Sequence, residues 1–175
     1  MIRVCTAADL RPLEWDGLFT DHREIFERVH GEQLAGRQVM LVADVGGVPL
    51  GQVWIDVHGG QPRGAGVIWA LRVHPSLQGR GLGTRLLAAA QDVIRAHGLG
   101  SAEIAAETNN PGARRLYESL GFGATHMATE AYSYTTPDGE HREHSMELVH
   151  LRKRLGDPAL VTELEDERDH LAAVV

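Results

Sequence analysis

A single cysteine, Cys5, stands in the chain, so no internal disulfide can brace the fold and no cysteine spacing for a metal exists. Cys5 sits in the apolar start Ile2-Arg3-Val4-Cys5 and reads as a structural thiol. No run approaches the ~20 apolar residues that a bilayer-spanning helix needs. The N-terminus lacks a basic region followed by an apolar core, so no secretory leader is expected, and a cytoplasmic location is. An excess of positive charge is also missing: the net charge is −7. That argues against a nucleic-acid surface and favours the approach of small cations. No internal repeat or low-complexity linker interrupts the 175 residues, which suffice for one domain with a sizeable core.

What the chain does have is glycine, 20 in all, and three of them alternate at Gly79, Gly81 and Gly83. They lie in residues 67–98. An apolar run, Val67-Ile68-Trp69-Ala70-Leu71-Arg72-Val73, reads as a buried strand, and His74-Pro75 stops it. After the glycines, Thr84-Arg85-Leu86-Leu87 begins a stretch at helical spacing that ends at Gly98. Strand, glycine loop and helix start in that order make an anion site, because free N–H groups and the helix dipole face the same point.

Two nucleotide patterns fail here. No lysine follows the glycines, which excludes G-x-x-x-x-G-K-[ST], and the spacing does not fit G-x-G-x-x-G. The run Gln78-Gly79-Arg80-Gly81-Leu82-Gly83 after Val73-His74-Pro75 instead resembles the acetyl-CoA pyrophosphate loop of the GNAT N-acyltransferase superfamily. A second stretch, Asn110-x-x-Ala113-x-x-Leu116-Tyr117-x-x-x-Gly121-Phe122, resembles the second signature of that superfamily about 30 residues on. The resemblance covers residues 1–154 and is strongest over 67–122.

The resemblance implies an α/β fold: a twisted mixed sheet with helices on both faces and a parallel strand pair, 67–73 and 103–108, that splays apart to admit acetyl-CoA. Backbone groups of Leu71 and Val73, with Arg72 between them, would meet the pantetheine and orient the thioester. Gln78, Gly79, Arg80, Gly81, Leu82, Gly83 and Thr84 would cradle the pyrophosphate, with Arg80 and Arg85 adding charge. The turn of Asn110 and Ala113 would meet the pantetheine arm, although Asn110 also serves as a plain helix cap.

Along the rest of the chain, 1–5 reads as a first strand. Thr6-Ala7-Ala8-Asp9 starts a first helix that Pro12 and Gly17 interrupt, and a second helix covers 21–33 with Ile25, Phe26 and Val29 on one face. In the resemblance these two helices wall the acceptor pocket. Strands are expected at 38–44, 48–58, 101–108, 122–134 and 141–151, and a helix from Pro111 to Gly121. The domain ends near residue 155, and 156–175 reads as a helical extension whose apolar stripe suits either the domain surface or a second subunit, a homodimer.

Acylating an amine requires the amine to lose a proton, the thioester carbonyl to be polarised and the departing thiolate to gain a proton. Tyr117 is the acid that the resemblance places beside the sulfur, against the alternative of a core tyrosine. A glutamate on the central strand serves as base in some members of the superfamily; residues 67–73 have no carboxylate. Glu107 is the first candidate, Asp56 the second and Glu103 the third, each also readable as a solvated or paired acid. His58, His74 and His126 titrate in the right range, and a water chain would also suffice. His141 and His144 fall on opposite faces of a strand, so no metal site is expected. The reading is an acetyl-CoA-dependent N-acetyltransferase acting on a small-molecule amine or a protein N-terminus. An acyl-CoA sensor without turnover is the alternative.

Overall fold

The computed structural model describes residues 1–58 and 64–156. The extension expected from residue 156 therefore lies almost wholly outside the described residues, as does most of the loop at 59–64. Seven strands form one sheet in the order β1-β2-β3-β4-β5-β7-β6. They are β1 (Ile2–Val4), β2 (Gln38–Val45), β3 (Val48–Asp56), β4 (Ala65–Val73), β5 (Ser101–Glu107), β6 (Gly123–Thr135) and β7 (His141–Arg154). The helices are α1 (Arg23–Leu34), α2 (Leu82–Ala96) and α3 (Pro111–Ser119). No helix among the described residues is long and apolar enough to cross a membrane.

Each face of the sheet has its own core. Ile55, Val53 and Ile68 from the strands pack with Leu86, Leu87, Ala90 and Ile94 of α2 and with Tyr117 of α3. Fully burying each large aliphatic chain contributes roughly 1.5–3 kcal/mol. Trp54, Met40 and Val42 face the other way and pack with Ile25, Phe26 and Val29 of α1 and with Leu13 and Trp15. β3 is thus buried on both sides, which is why its apolar residues do not alternate with polar ones. α2 lies very close to the sheet: a Cβ on Gly66 would come within 2.5 Å of Ile94, and one on Gly51 within 3.1 Å of Leu86.

The first helix does not form. Residues 7–22 hold three short 3₁₀ turns instead, Ala7–Asp9, Pro12–Glu14 and Thr20–His22. Trp15, Asp16 and Gly17 in succession take positive φ, which breaks any helical path. Tertiary bonds hold the segment in place. Asp9 accepts from both outer nitrogens of Arg3 at 2.7 and 2.8 Å and from the Thr6 amide at 2.8 Å. Glu14 accepts from Arg23 and Thr20, and Trp15 Nε1 donates to the Pro49 carbonyl of β3 at 2.8 Å.

β4 and β5 are the parallel pair, and their register runs only from Ala65↔Ser101 to Ile68↔Ile104. Beyond it the strands part. β4 also carries a bulge: Trp69 pairs with Trp54 and Arg72 with Gln52, so two residues oppose one on β3, and Ala70 has a φ of +49°. The extra residue resets the alternation. Ile68 faces the α2 core and Trp69 the α1 core; past the bulge Leu71 and Val73 return to the α2 side.

Candidate active site

The gap between β4 and β5 joins the two faces of the sheet, and the expected coenzyme-loop residues gather at one end of it. His74 N–H donates to the Leu50 carbonyl of β3 at 2.9 Å. By strand alternation the main chain of Arg72 also faces β3, while that of Leu71 and Val73 faces the gap. Arg72, expected with its neighbours along the pantetheine, therefore offers no backbone group there. Its main chain is committed to β3, and its side chain goes to the α1 face. The Val73 carbonyl accepts from the Gln78 side chain at 3.0 Å, which ties the glycine loop to the strand end.

Gly79 and Gly81 have φ of +73° and +75°, and a Cβ on either would meet nothing within 4 Å. Their glycine identity serves the left-handed turn and keeps the approach to the backbone open. Gly81 is the N-cap of α2 and supplies no capping side chain. Arg85 N–H makes the first bond of the helix, to the Gly81 carbonyl. Among the described residues the amides of 79–84 have no acceptor. Six donors left open on an uncapped helix N-terminus suit a multiply charged anion. Gly83 differs from the other two, because a Cβ there would sit 3.6 Å from Leu116 and 3.9 Å from Val73. At that residue α2, α3 and the end of β4 meet.

Asn110 caps α3, its side-chain oxygen accepting from Ala113 N–H at 3.1 Å. One turn on, Tyr117 is 6% exposed and tilts against Phe122 with ring centroids 6.4 Å apart. Burial pushes its phenol up to about 12. No side-chain hydrogen bond engages its hydroxyl among the described residues. A phenol held in its protonated form is a hydrogen-bond donor.

The candidate bases separate. Glu107 ends β5 beyond the splay and is exposed. Asp56 pairs with Val67 instead, roughly 20 Å back along β4 from Val73 at about 3.3 Å per residue. It accepts from the His58 amide at 2.8 Å. Glu103 also pairs with Val67 and meets Arg152 at 3.6 Å. Both lie at the paired start of the β4–β5 pair, away from the end of β5 that carries Glu107. His74 bonds Ser76 at 2.7 Å and lies edge-on to Trp15, and His126 stacks on His150 with centroids 4.4 Å apart.

On the α1 face the gap opens among groups that the sequence reading missed. The 13-residue strand β6 reaches back to the start of α1: Thr135 N–H donates to Glu24, Arg142 meets Asp21 at 3.1 Å, and Tyr134 stacks on His22 with centroids 4.7 Å apart. Burial first, and then the charge of Arg72, hold the His22 imidazole below its ordinary range. The Arg72 guanidinium lies 4.3 Å from the ring centroid of Phe19. Only the fold joins these residues, which come from 19–22, 52–54, 72 and 132–134.

The model of the acetyltransferase (GNAT) family matches residues 7–122. The chain belongs to this family. Mycothiol acetyltransferase of Beutenbergia cavernae is 43% identical over 83 residues, 47% of this chain and 27% of that protein. The enzyme of the same name from Sanguibacter keddieii is 41% identical over 85 residues, with the same shares. The chain thus spans about a quarter of the length of the curated relatives it matches. Among solved structures, a putative acetyltransferase from Salmonella typhimurium with its cofactor acetyl-CoA superposes with a TM-score of 0.68 at 22% identity, covering 90% of this chain and 94% of that one. The ribosomal-protein-S18-alanine N-acetyltransferase from Escherichia coli gives 0.67 at 20%, covering 89% and 94%. These likenesses establish the GNAT fold for the splayed sheet described above.

Proposed function

We propose that the protein moves an acetyl group from acetyl-CoA directly to the nitrogen of a primary amine. The observation that carries this reading is the set of open amides at 79–84, placed at one lip of the gap between β4 and β5. The amides would hold the pyrophosphate, and the backbone of Leu71 and Val73 would pair with the pantetheine and fix the thioester in the gap. The acceptor enters from the α1 face. A small-molecule amine, such as the names of the mycothiol relatives suggest, and a protein N-terminus, as in the Escherichia coli enzyme, both fit this direction of entry. A cytoplasmic setting and a reaction without metal belong to the same proposal.

In the transfer, the neutral amine nitrogen bonds to the carbonyl carbon as the C–S bond breaks. Tyr117 gives its hydroxyl proton to the departing sulfur. The proton of the amine passes to Glu107, directly or through water. Tyr117 is suited to its part because burial keeps the phenol protonated across the neutral range. A carboxylate at Glu107 also attracts the ammonium form before deprotonation, so kcat/KM rises with pH through the pKa of the amine or the base.

One observation favours a second reading, an acyl-CoA sensor without turnover: β4 carries no carboxylate to act as a directly bound base. Release of free thiol from acetyl-CoA, followed over a broad panel of amines, separates the two. Amine-dependent thiol release with matching acetylated product is the expected result. Tight acetyl-CoA binding without product from any amine would favour the sensor.

A further inference from the structure

The other arginines that approach the interior have carboxylate partners: Arg3 has Asp9 and Asp44, and Arg23 has Glu14. Arg72 meets no carboxylate within ion-pair distance among the described residues. Its Nη1 is buried with no hydrogen-bond partner. The same holds for both amide atoms of Gln52, which lies directly opposite on β3, for Nε1 of Trp54 and for Nδ1 of His22. Removing a guanidinium from water without a counter-ion is costly, and so is each orphaned polar atom around it. Of the acidic residues among the described ones, none makes an ion pair with this arginine.

We propose that Arg72 binds a carboxylate carried by the acceptor, which makes the acceptor a small amino acid with a free carboxylate near its amine. This rests on the acetyl-transfer reading and names its substrate class. The guanidinium is a planar fork of donors that matches a carboxylate in two parallel bonds. Phe19 holds the plane of that fork at 4.3 Å, which leaves its edge to a ligand. Gln52 and Trp54 supply further donors beside it. Tyr132 feels the charges of both Arg72 and Glu107. Arg72 on β4 and Glu107 at the end of β5 stand on the two strands that part, a cation and an anion for the carboxylate and the ammonium of a zwitterion. The backbone also keeps strain to put Arg72 here. Without the extra residue at Ala70, with its φ of +49°, alternation would send this side chain into the α2 core. A protein N-terminus brings an amine with no carboxylate beside it and leaves Arg72 unpaired.

The test uses matched acceptors: each of the common amino acids, its carboxamide and its decarboxylated amine, together with an alanine-initiated peptide. Binding to the protein saturated with coenzyme A is measured by calorimetry, and kcat/KM by thiol release. At least one amino acid binds better than its carboxamide and its amine by about tenfold or more, the scale of one lost charge-assisted bond. Arg72→Gln removes that preference through KM and not kcat, and Arg72→Lys restores part of it. Arg72→Met does not lower the Tm of the free protein, because no ion pair is lost; a purely structural arginine would give a clear fall. The proposal is overturned if no amino acid binds, if amides, amines or the peptide bind as well, or if the preference survives in Arg72→Gln. Amines acetylated without regard to a carboxylate would remove this proposal and leave the reaction standing. Carboxylate binding through Arg72 with no product would remove the reaction and leave the site.

Discussion

On the face of the sheet covered by α2 and α3, the groups open to a ligand are backbone amides from one short run, 79–84. On the face covered by α1 and residues 7–22, they are side chains from four separate stretches. The difference is one of chemistry as well as position. Amides at a helix N-terminus recognise a diphosphate through charge and shape, need only glycine around them, and work for any sequence that makes the turn. Side chains such as Arg72, Gln52 and Glu107, on the reading proposed above, would recognise one particular acceptor and can change without touching the loop. A donor site built from backbone is shared across a family, whereas an acceptor site built from side chains is the property of one protein.

Changes at the two faces should therefore separate donor effects from acceptor effects. The largest is expected at Tyr117, buried in the core on the α2 face. Tyr117→Phe should lower turnover by roughly 10²–10⁴-fold, the usual worth of a positioned acid, with acetyl-CoA affinity little changed. Undiminished turnover, with chemistry known to be rate-limiting, would remove the acid role. Gly66→Ala should destabilise the fold by about 1–3 kcal/mol in urea denaturation, since its Cβ would press on Ile94 at 2.5 Å. Wild-type stability would mean that α2 has room to move off the sheet.

Gly83→Asp bears on the donor face alone. The new Cβ would meet Leu116 at an ordinary 3.6 Å, so the protein should fold. The added charge beside the open amides should raise the Kd for acetyl-CoA at least tenfold, about 1.4 kcal/mol. Equal binding in calorimetry would show that the pyrophosphate lies elsewhere. Glu107→Gln bears on the acceptor face. It should reduce kcat/KM for the amine several-fold, about 1 kcal/mol, and leave acetyl-CoA binding unchanged. Raising the ionic strength should raise KM for the amine in wild type more than in this variant. Equal salt sensitivity would take Glu107 out of acceptor attraction.

The smallest effect concerns acid. Arg3 first, with the Thr6 bonds assisting, holds the Asp9 carboxyl well below its usual range, and Arg23 does the same for Glu14. A depressed folded-state pKa contributes stability that is fully present above the unfolded value of about 4 and is lost as pH falls through the folded value. Both carboxylates pin residues 7–22, which cover the α1 face of the sheet. Hydrogen exchange below about pH 4 should thus rise in 7–22 before it rises in α2, and simultaneous loosening of both would show that the cover is not independently held. At neutral pH Cys5, its thiol pushed up by burial to about 12, should resist alkylation until the same segment opens.

Much of the strand, turn and helix order over 67–122 was legible in the sequence because its information is local. Glycines at 79, 81 and 83, the Asn110–Pro111 helix start and Tyr117 nearly two turns later lie within single elements, and short-range geometry fixes their backbone. The sheet with helices on both faces and the splay of its parallel pair followed from the family resemblance, and the register bears them out. Where the sequence reading failed, a long-range contact had overridden a local preference. Residues 7–22 carry a helical start at Thr6, but the bonds to Arg3, Arg23 and Pro49 hold them as 3₁₀ turns instead. Asp56 and Glu107 look alike as strand acids, yet register sets them at opposite ends of the gap.

The chain by itself determined the strands, the three α-helices and the glycine turn between β4 and α2, because each follows from spacing along a few turns of backbone. Tertiary structure alone decided which side chains gather on the α1 face beyond the bulge of β4. Pairing β3 to β4 with one extra residue at Ala70 turns Arg72 out of the α2 core and under Phe19. Inserting β7 between β5 and β6 lets β6 swing Tyr134 over His22, with Tyr132 stacked beside it. A bulge and a strand order are choices among pairings that differ in long-range packing energy, and no periodicity along the sequence distinguishes them.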